Sequence, residues 1–574
     1  MTDDSAEARS WIRLASFATL VLCVAGFVAI PDSNRHLLQY RSLFYEQFAR
    51  FEPPALVLIA AFAVAALILS FRAPQAPEPD AEPRVLNWLS TDRRALWLTA
   101  AFAAVVVFLG FAFIFHHYFL ADDENAGWVQ ALIFAHGKTS AVVPQPWCRW
   151  IGAMTPTTVA ITPPCGWNLQ FFLPVHSLIR SWFIALHVDW LAGPLTAVVT
   201  LVLVWSTARI AWPERRDRAV MSVLVVALST QFLFMSMTMF SGPTDLLFSA
   251  LWLWLYVQRR TWATLLFPWV GFLAFGVHNP LTHALWVAPF ALRILRRREW
   301  RTVAYLTIVY VIAIAFWAHQ LKLAGTAASA STGVVAKSIT SVTVGGAAVR
   351  SHFAVPDLLD LLTTAMHVTL IATWNSPILI LVLFLCALDW SGLDDLGRDL
   401  LLGVLVMIAV RAVEPVTQGE GWGYRFVYPG VINFGLLAAL GIDTIASAIG
   451  RRRAYAFAAA SLVASLVIQL PMRAVQVEHL VGPYARTYQW VASRNADVVV
   501  FPLQYVRWGR QMLRNDPFLR NSPKLVDAYE LDKANLAALQ AQFPGRVLVL
   551  TRKDVLQFGA ETAPIIVGGL ILTQ

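Results

Sequence analysis

Apolar stretches long enough to cross a bilayer recur along most of the chain, separated by short arginine-bearing loops. A helix needs about 20 mostly apolar residues to span roughly 30 Å of hydrocarbon. Such runs fall at 14–30, 55–71, 95–115, 190–208, 219–240, 246–257, 262–277, 281–295, 302–321, 369–388, 400–413, 426–446 and 454–470. They predict about thirteen membrane-spanning helices, because a span in lipid must pair its backbone groups internally. Residues 168–187 are also apolar but carry Pro174, His176 and Arg180, which suits a helix lying in the interface. The alternative, that this segment crosses and a neighbour does not, stays open.

The pattern changes after the last run. Residues 497–501 and 546–550 read as short buried strands, and 531–543 as a helix with Leu531, Leu536 and Leu539 on one side. The fold class expected is therefore an all-α polytopic membrane protein with a small α/β tail outside the membrane. Three parts follow. Residues 1–94 are an N-terminal two-helix segment with a cytoplasmic loop. Residues 95–472 are a transmembrane domain with long outer loops at 116–189 and 322–357. Residues 473–574 are the tail.

Composition supports the membrane reading: of 574 residues, 58% are hydrophobic and 14% charged, too little polar surface for a soluble domain. The net charge of +9 is no sign of a nucleic-acid partner. Clusters such as Arg215/Arg216/Arg218, Arg296/Arg297/Arg298 and Arg451/Arg452/Arg453 fall in alternate loops, where the positive-inside rule puts them. That rule sets the N-terminus in the cytoplasm and the tail outside. Asp3, Asp4 and Glu7 precede the first run with no small-residue cleavage site after it, so it reads as a retained helix. Cys148 and Cys165 share one outer loop; in an oxidising compartment they make a disulfide, and otherwise two unpaired thiols.

The sharpest chemical signal is Asp122-Asp123-Glu124, directly after the third run. Three acids at the start of an amphipathic helix can cap it and complement its dipole. They can equally supply a general base at the membrane surface, since crowded acids raise one another's pKa. His278 and His283 stand five positions apart and do not share a helix face as metal ligands would. There is no zinc-protease motif, phosphate-cradling loop, nucleophile elbow or dinucleotide fingerprint.

The arrangement resembles the GT-C superfamily of membrane glycosyltransferases, such as protein mannosyltransferases and aminoarabinose transferases. In that family a span opens into a long outer loop at an acidic pair, matched here by Asp123-Glu124 with Asp122 as an extra acid. Pro163-Pro164 and Phe171-Phe172-Leu173-Pro174 stand where the family has a proline-bearing interfacial helix, and Tyr424-Arg425-Phe426-Val427-Tyr428-Pro429 resembles its arginine–aromatic–proline opening of a late span. The sequence departs from the family in two ways. Two extra spans precede the one before the acids, and Gly127-Trp128 follows where a tyrosine is usual.

The resemblance implies transfer of a sugar from a polyprenyl-phosphate-linked donor to a glycan, lipid or protein acceptor outside a bacterial inner membrane, by an inverting reaction. It implies Asp123 as the catalytic base, with Asp122 the alternative, and Glu124, Arg425, Tyr424, Asp245, Arg350 and His352 as substrate-binding residues. Asp245 also reads as a helix N-cap, and Arg425 as a membrane-surface anchor. No cofactor is demanded; a Mg or Mn ion on Asp122 and Asp123 is the one candidate. The rival classes are a transporter or flippase of a lipid-linked glycan, an O-antigen ligase or polymerase using outer Arg and His residues, and a non-enzymatic assembly protein. Membrane lipids are partners under every reading.

Overall fold

The computed structural model describes residues 2–37, 43–72, 87–89, 91–156, 159–168, 173–278, 280–329, 358–413, 421–562, 565–567 and 570–572. Among them, seven helices are long and apolar enough to cross a bilayer: Ser5–Ala29, Ala49–Phe71, Arg94–Phe113, Asp189–Ala211, Trp300–Lys322, Tyr428–Ile449 and Arg451–Ala492. An eighth counts if Arg216–Ala227 and Thr230–Ser236, bent by 56°, form one span. The chain is thus a multi-pass membrane protein. Large apolar side chains such as Phe17, Phe71, Phe113 and Val467 face outward, as lipid-facing surface requires.

Several expected spans differ from the simple pattern. The run at 219–240 bends at Leu228-Ser229 and unwinds after Ser236. The run at 369–388 is interrupted between Thr373 and Leu379, where Asn375, Ser376 and Pro377 stand and proline removes a backbone donor. The last run does not stop near 470. A π-helical turn at Ser465–Gln469 carries the helix on to Ala492. At 42 residues this element is about 63 Å long, roughly twice the hydrocarbon thickness. Its far end reaches the exit of the Arg94–Phe113 span, where Gln489 donates to the carbonyl of His116 at 3.2 Å.

Beyond Ala492, Val498–Phe501 pairs in parallel with Lys524–Asp527 on one side and Val547–Val549 on the other. The helix Lys533–Gln542 makes the crossover. The strand at 524–527 went unmarked by the sequence pattern. Val498, Val499 and Val500 are wholly buried, as in a strand covered on both faces. Their cover is partly the segment that follows the Arg94–Phe113 helix: Val129, Ile133, Trp147, Trp150 and Met154 share one core with Val498, Val500, Val526 and Leu539. That segment is tied by an antiparallel sheet of Ala141–Val142, Gly166–Asn168 and Ala160–Thr162 and by a disulfide between Cys148 and Cys165. The sheet unit therefore sits on the segment that begins with the acids.

Candidate active site

The acidic helix, Asp122–Ala135, begins where the chain leaves the Arg94–Phe113 span. Its apolar side chains Ala126, Val129 and Ile133 recur at helical spacing and are buried, and the acids fall in the first turn, where the helix dipole favours them. The helix Val175–Ala185 packs beside it and is amphipathic. It turns His176, Ser177 and Arg180 inward, while Leu178 and Trp182 face out.

The three consecutive acids have three different partners. Glu124 is buried, and its carboxylate accepts the backbone N–H of Met239 at 3.1 Å and that of Ala121, the residue before the helix, at 3.2 Å. Burial pushes its pKa up to about 7, against those two hydrogen bonds. One of its oxygens holds the helix to the turn at 237–241, and the other caps the start of its own helix. His176 grips the same residue, 3.0 Å from the Met239 carbonyl, and lies 2.8 Å from the Thr244 hydroxyl. Burial holds the His176 ring neutral, with its pKa down at about 3. Asp122 turns toward the C-terminal unit, where Gln511 hydrogen-bonds it and Arg510 and Arg514 lie near. Burial first, and then the charge of Asp123, raise Asp122 to about 6. Asp123 forms an ion pair with Arg425 at 2.6 Å.

Arg425 reaches Asp123 from the loop before the Tyr428–Ile449 helix. Its side chain is only 8% exposed and lies over the Phe240 ring at 4.3 Å, a cation–π contact. Gly421 makes room for it: a Cβ there would sit 2.2 Å from the arginine Cδ, and its φ of +147° disfavours other residues.

Asp123 and Arg425 line one cleft of about 290 Å³ with His176, Ser177, Phe240 and His278. A second cleft of about 320 Å³ shares Ser241, His278 and Arg425 with it and reaches Asp245 and Thr282. A third, about 350 Å³ and largely apolar, meets the second at Phe426 and is lined by Tyr424, His367, Ile371 and Ile408. Asp123, Arg425, Asp245 and Tyr424 thus line three clefts that share Ser241, His278, Arg425 and Phe426 among their walls. Arg350 and His352 lie outside the described residues. Among the described residues, no three His, Cys, Asp or Glu side chains gather as metal ligands would.

Reading the sequence weighed His278 only as a metal ligand and left out Gln231, and the site uses both. His278 lines both polar clefts, and Gln231, inside an apolar run, touches the arginine loop. The only sequence signal of Gln231 is a polar side chain where the pattern calls for an apolar one.

No protein-family model matches this sequence, and neither does any curated protein. The fold does match solved structures. Apo ArnT, the aminoarabinose transferase of Cupriavidus metallidurans, superimposes with a TM-score of 0.50 over 81% of this chain and 90% of its own, at 11% identity. The chain has a GT-C fold. ArnT bound to undecaprenyl phosphate gives a TM-score of 0.48 at 13% identity, over 79% of this chain and 89% of that one. The Archaeoglobus fulgidus oligosaccharyltransferase tethered to an acceptor peptide gives 0.43 at 11%, over 80% and 69%. In this fold the acidic segment and the arginine loop meet beside the cleft near the end of the Arg94–Phe113 helix.

Proposed function

We propose that the chain is a membrane glycosyltransferase. It moves a sugar from a polyprenyl-phosphate carrier to an acceptor on the outer face of a bacterial inner membrane, with the N-terminus in the cytoplasm and the C-terminal unit outside. The observation that carries this reading is the ion pair of Asp123 with Arg425 in one cleft; the GT-C fold supports it.

The chemistry needs a base and a cation at the same depth. The acceptor oxygen or nitrogen attacks the anomeric carbon from the face opposite the phosphate, so configuration inverts. Asp123 takes the acceptor proton, the bond from the anomeric carbon to the phosphate oxygen breaks, and the carrier phosphate leaves with the bonding pair. Arg425 stabilises the charge that develops on that phosphate. In the resting state the two groups neutralise each other. A donor phosphate that draws Arg425 away frees the Asp123 carboxylate to act as base, so base activation awaits donor binding. Asp245, His278 and Ser241 are the polar groups available to the sugar, and the apolar cleft at Tyr424 and Phe426 suits the first isoprene units.

The site works in this reading without a metal ion. Asp122 and Asp123 both look toward cationic side chains, a donor set that does not fit Mg or Mn, which prefer several oxygens free of competing charge.

The test is transfer to acceptor in membranes carrying Asp123→Asn at normal abundance. Loss of transfer supports the base; full activity removes it.

A further inference from the structure

Two broken helices meet behind the arginine loop, and Gln231 stands where they do. Breaking a span frees backbone groups that must find partners inside the protein. At the break before Leu379, the carbonyl of Trp374 accepts both the Gln231 N–H at 2.9 Å and the Thr230 hydroxyl at 2.8 Å. The Gln231 side chain, wholly buried, then reaches the loop. Its Nε2 donates to the Trp422 carbonyl at 2.9 Å, and its Oε1 accepts the Tyr424 N–H at 3.2 Å. One carboxamide thus satisfies the two peptide groups flanking Gly423, within the three residues before Arg425.

The loop is shaped to receive it. Gly423 has φ +60°, and a Cβ there would lie 1.6 Å from the Gln231 oxygen. Asn375 of the second break adds a bond to the Tyr424 hydroxyl at 2.7 Å and accepts from Ser229 at 2.8 Å. Ser229 and Gln231 flank the bend of the first helix pair, and Trp374 and Asn375 the break of the second.

We propose that Gln231 is a positioning residue for Arg425: its carboxamide sets the path of the loop and thereby aims the guanidinium into the donor-phosphate cleft. This rests on the reading of Arg425 as the cation for the carrier phosphate. Gln231 touches no substrate; it acts through the loop. Gly423 belongs to the same device, because any side chain there collides with the amide and strains the backbone.

The experiment measures equilibrium binding of undecaprenyl phosphate to the purified full-length chain in nanodiscs, beside its thermal unfolding midpoint. Gln231→Leu removes both hydrogen bonds and should weaken binding about tenfold, as the loss of one or two buried bonds implies. Gly423→Ala should do the same by displacing the loop. Because both act on one contact, the double variant should bind no more weakly than the worse single, a coupling independent effects would not give. Should Gln231→Leu fail to fold, Gly423→Ala alone and with Gln231→Ala carries the comparison. Wild-type binding by folded Gln231 and Gly423 variants, while Arg425→Ala binds poorly, overturns the positioning role alone. Wild-type binding by Arg425→Ala removes the phosphate reading beneath it.

Discussion

Asp123 and Arg425 are 302 positions apart in the chain and 2.6 Å apart in space. Each occupies the other, so in the proposed reaction each restrains the other until a phosphate arrives. The two halves of the proposed reaction should therefore separate on mutation. Asp123→Asn should lower transfer by about 10²–10⁴-fold yet leave undecaprenyl phosphate binding equal or tighter, because Arg425 is released from its partner. Weaker binding in that variant would count against this opposition of roles.

Arg425 should show the reverse behaviour. Arg425→Ala should weaken donor use more at low donor concentration than at saturation, and Arg425→Lys should rescue it only in part. A lysine keeps the charge but loses the planar fork that lies on Phe240 and meets an oxyanion at two points. Initial rates across a donor titration check this; equal rates for Lys and Arg at every concentration would leave only a point charge to explain.

Much of this arrangement was legible in the chain. The acids at the end of a run and the aromatic-flanked Arg425 carry their own local patterns, and the disulfide pair shares one loop. Their mutual distance was not legible, because it depends on how helices hundreds of residues apart stack. Pro377 advertised the break at 374–378, but hydropathy averaged over a window smoothed it into one span. The long final helix was hidden for the opposite reason. Past Leu470 its composition turns polar, with Arg473, Gln476, Glu478 and His479, while its backbone continues unbroken through Pro483. Gln231 is a lone polar residue whose purpose lies in the loop it faces.

The folded protein should lose stability as pH rises through the weakly acidic range. Burial raises Asp122 from 3.8 to about 6 and Glu124 from 4.5 to about 7. The native state therefore binds protons more tightly than the unfolded chain. The stabilising contribution of both groups is full below about pH 4 and is lost progressively by about pH 7. Asp122→Asn, a neutral isostere, should raise the unfolding midpoint at pH 7.5, with the gain shrinking below pH 6. Melting curves in detergent at several pH values decide the point; a gain that does not depend on pH would mean that the charge of Asp122 is not what destabilises.

The N-terminal helices are bound to the core by a fully buried charge pair. Glu52, just before Pro53-Pro54, meets Arg473 at 2.6 Å, and both side chains are at most 1% exposed. Trp374 donates to the same carboxylate at 3.2 Å and lies beneath the guanidinium at 4.4 Å; Arg473 also reaches the Thr373 carbonyl at 3.0 Å. Removing one partner leaves a bare buried charge, so Glu52→Ala should destabilise by about 3–5 kcal/mol. Replacing both, as in Glu52→Leu with Arg473→Met, removes the stranded charge and should restore most of that loss. Because Trp374 also anchors Gln231, Glu52→Ala should in addition weaken undecaprenyl phosphate binding, although Glu52 belongs to a different helix from any residue lining the cleft. Unfolding and binding measured on the single and double variants separate the two effects. A double variant as unstable as Glu52→Ala would show that the geometry of the pair, not its charge balance, holds the N-terminal helices in place.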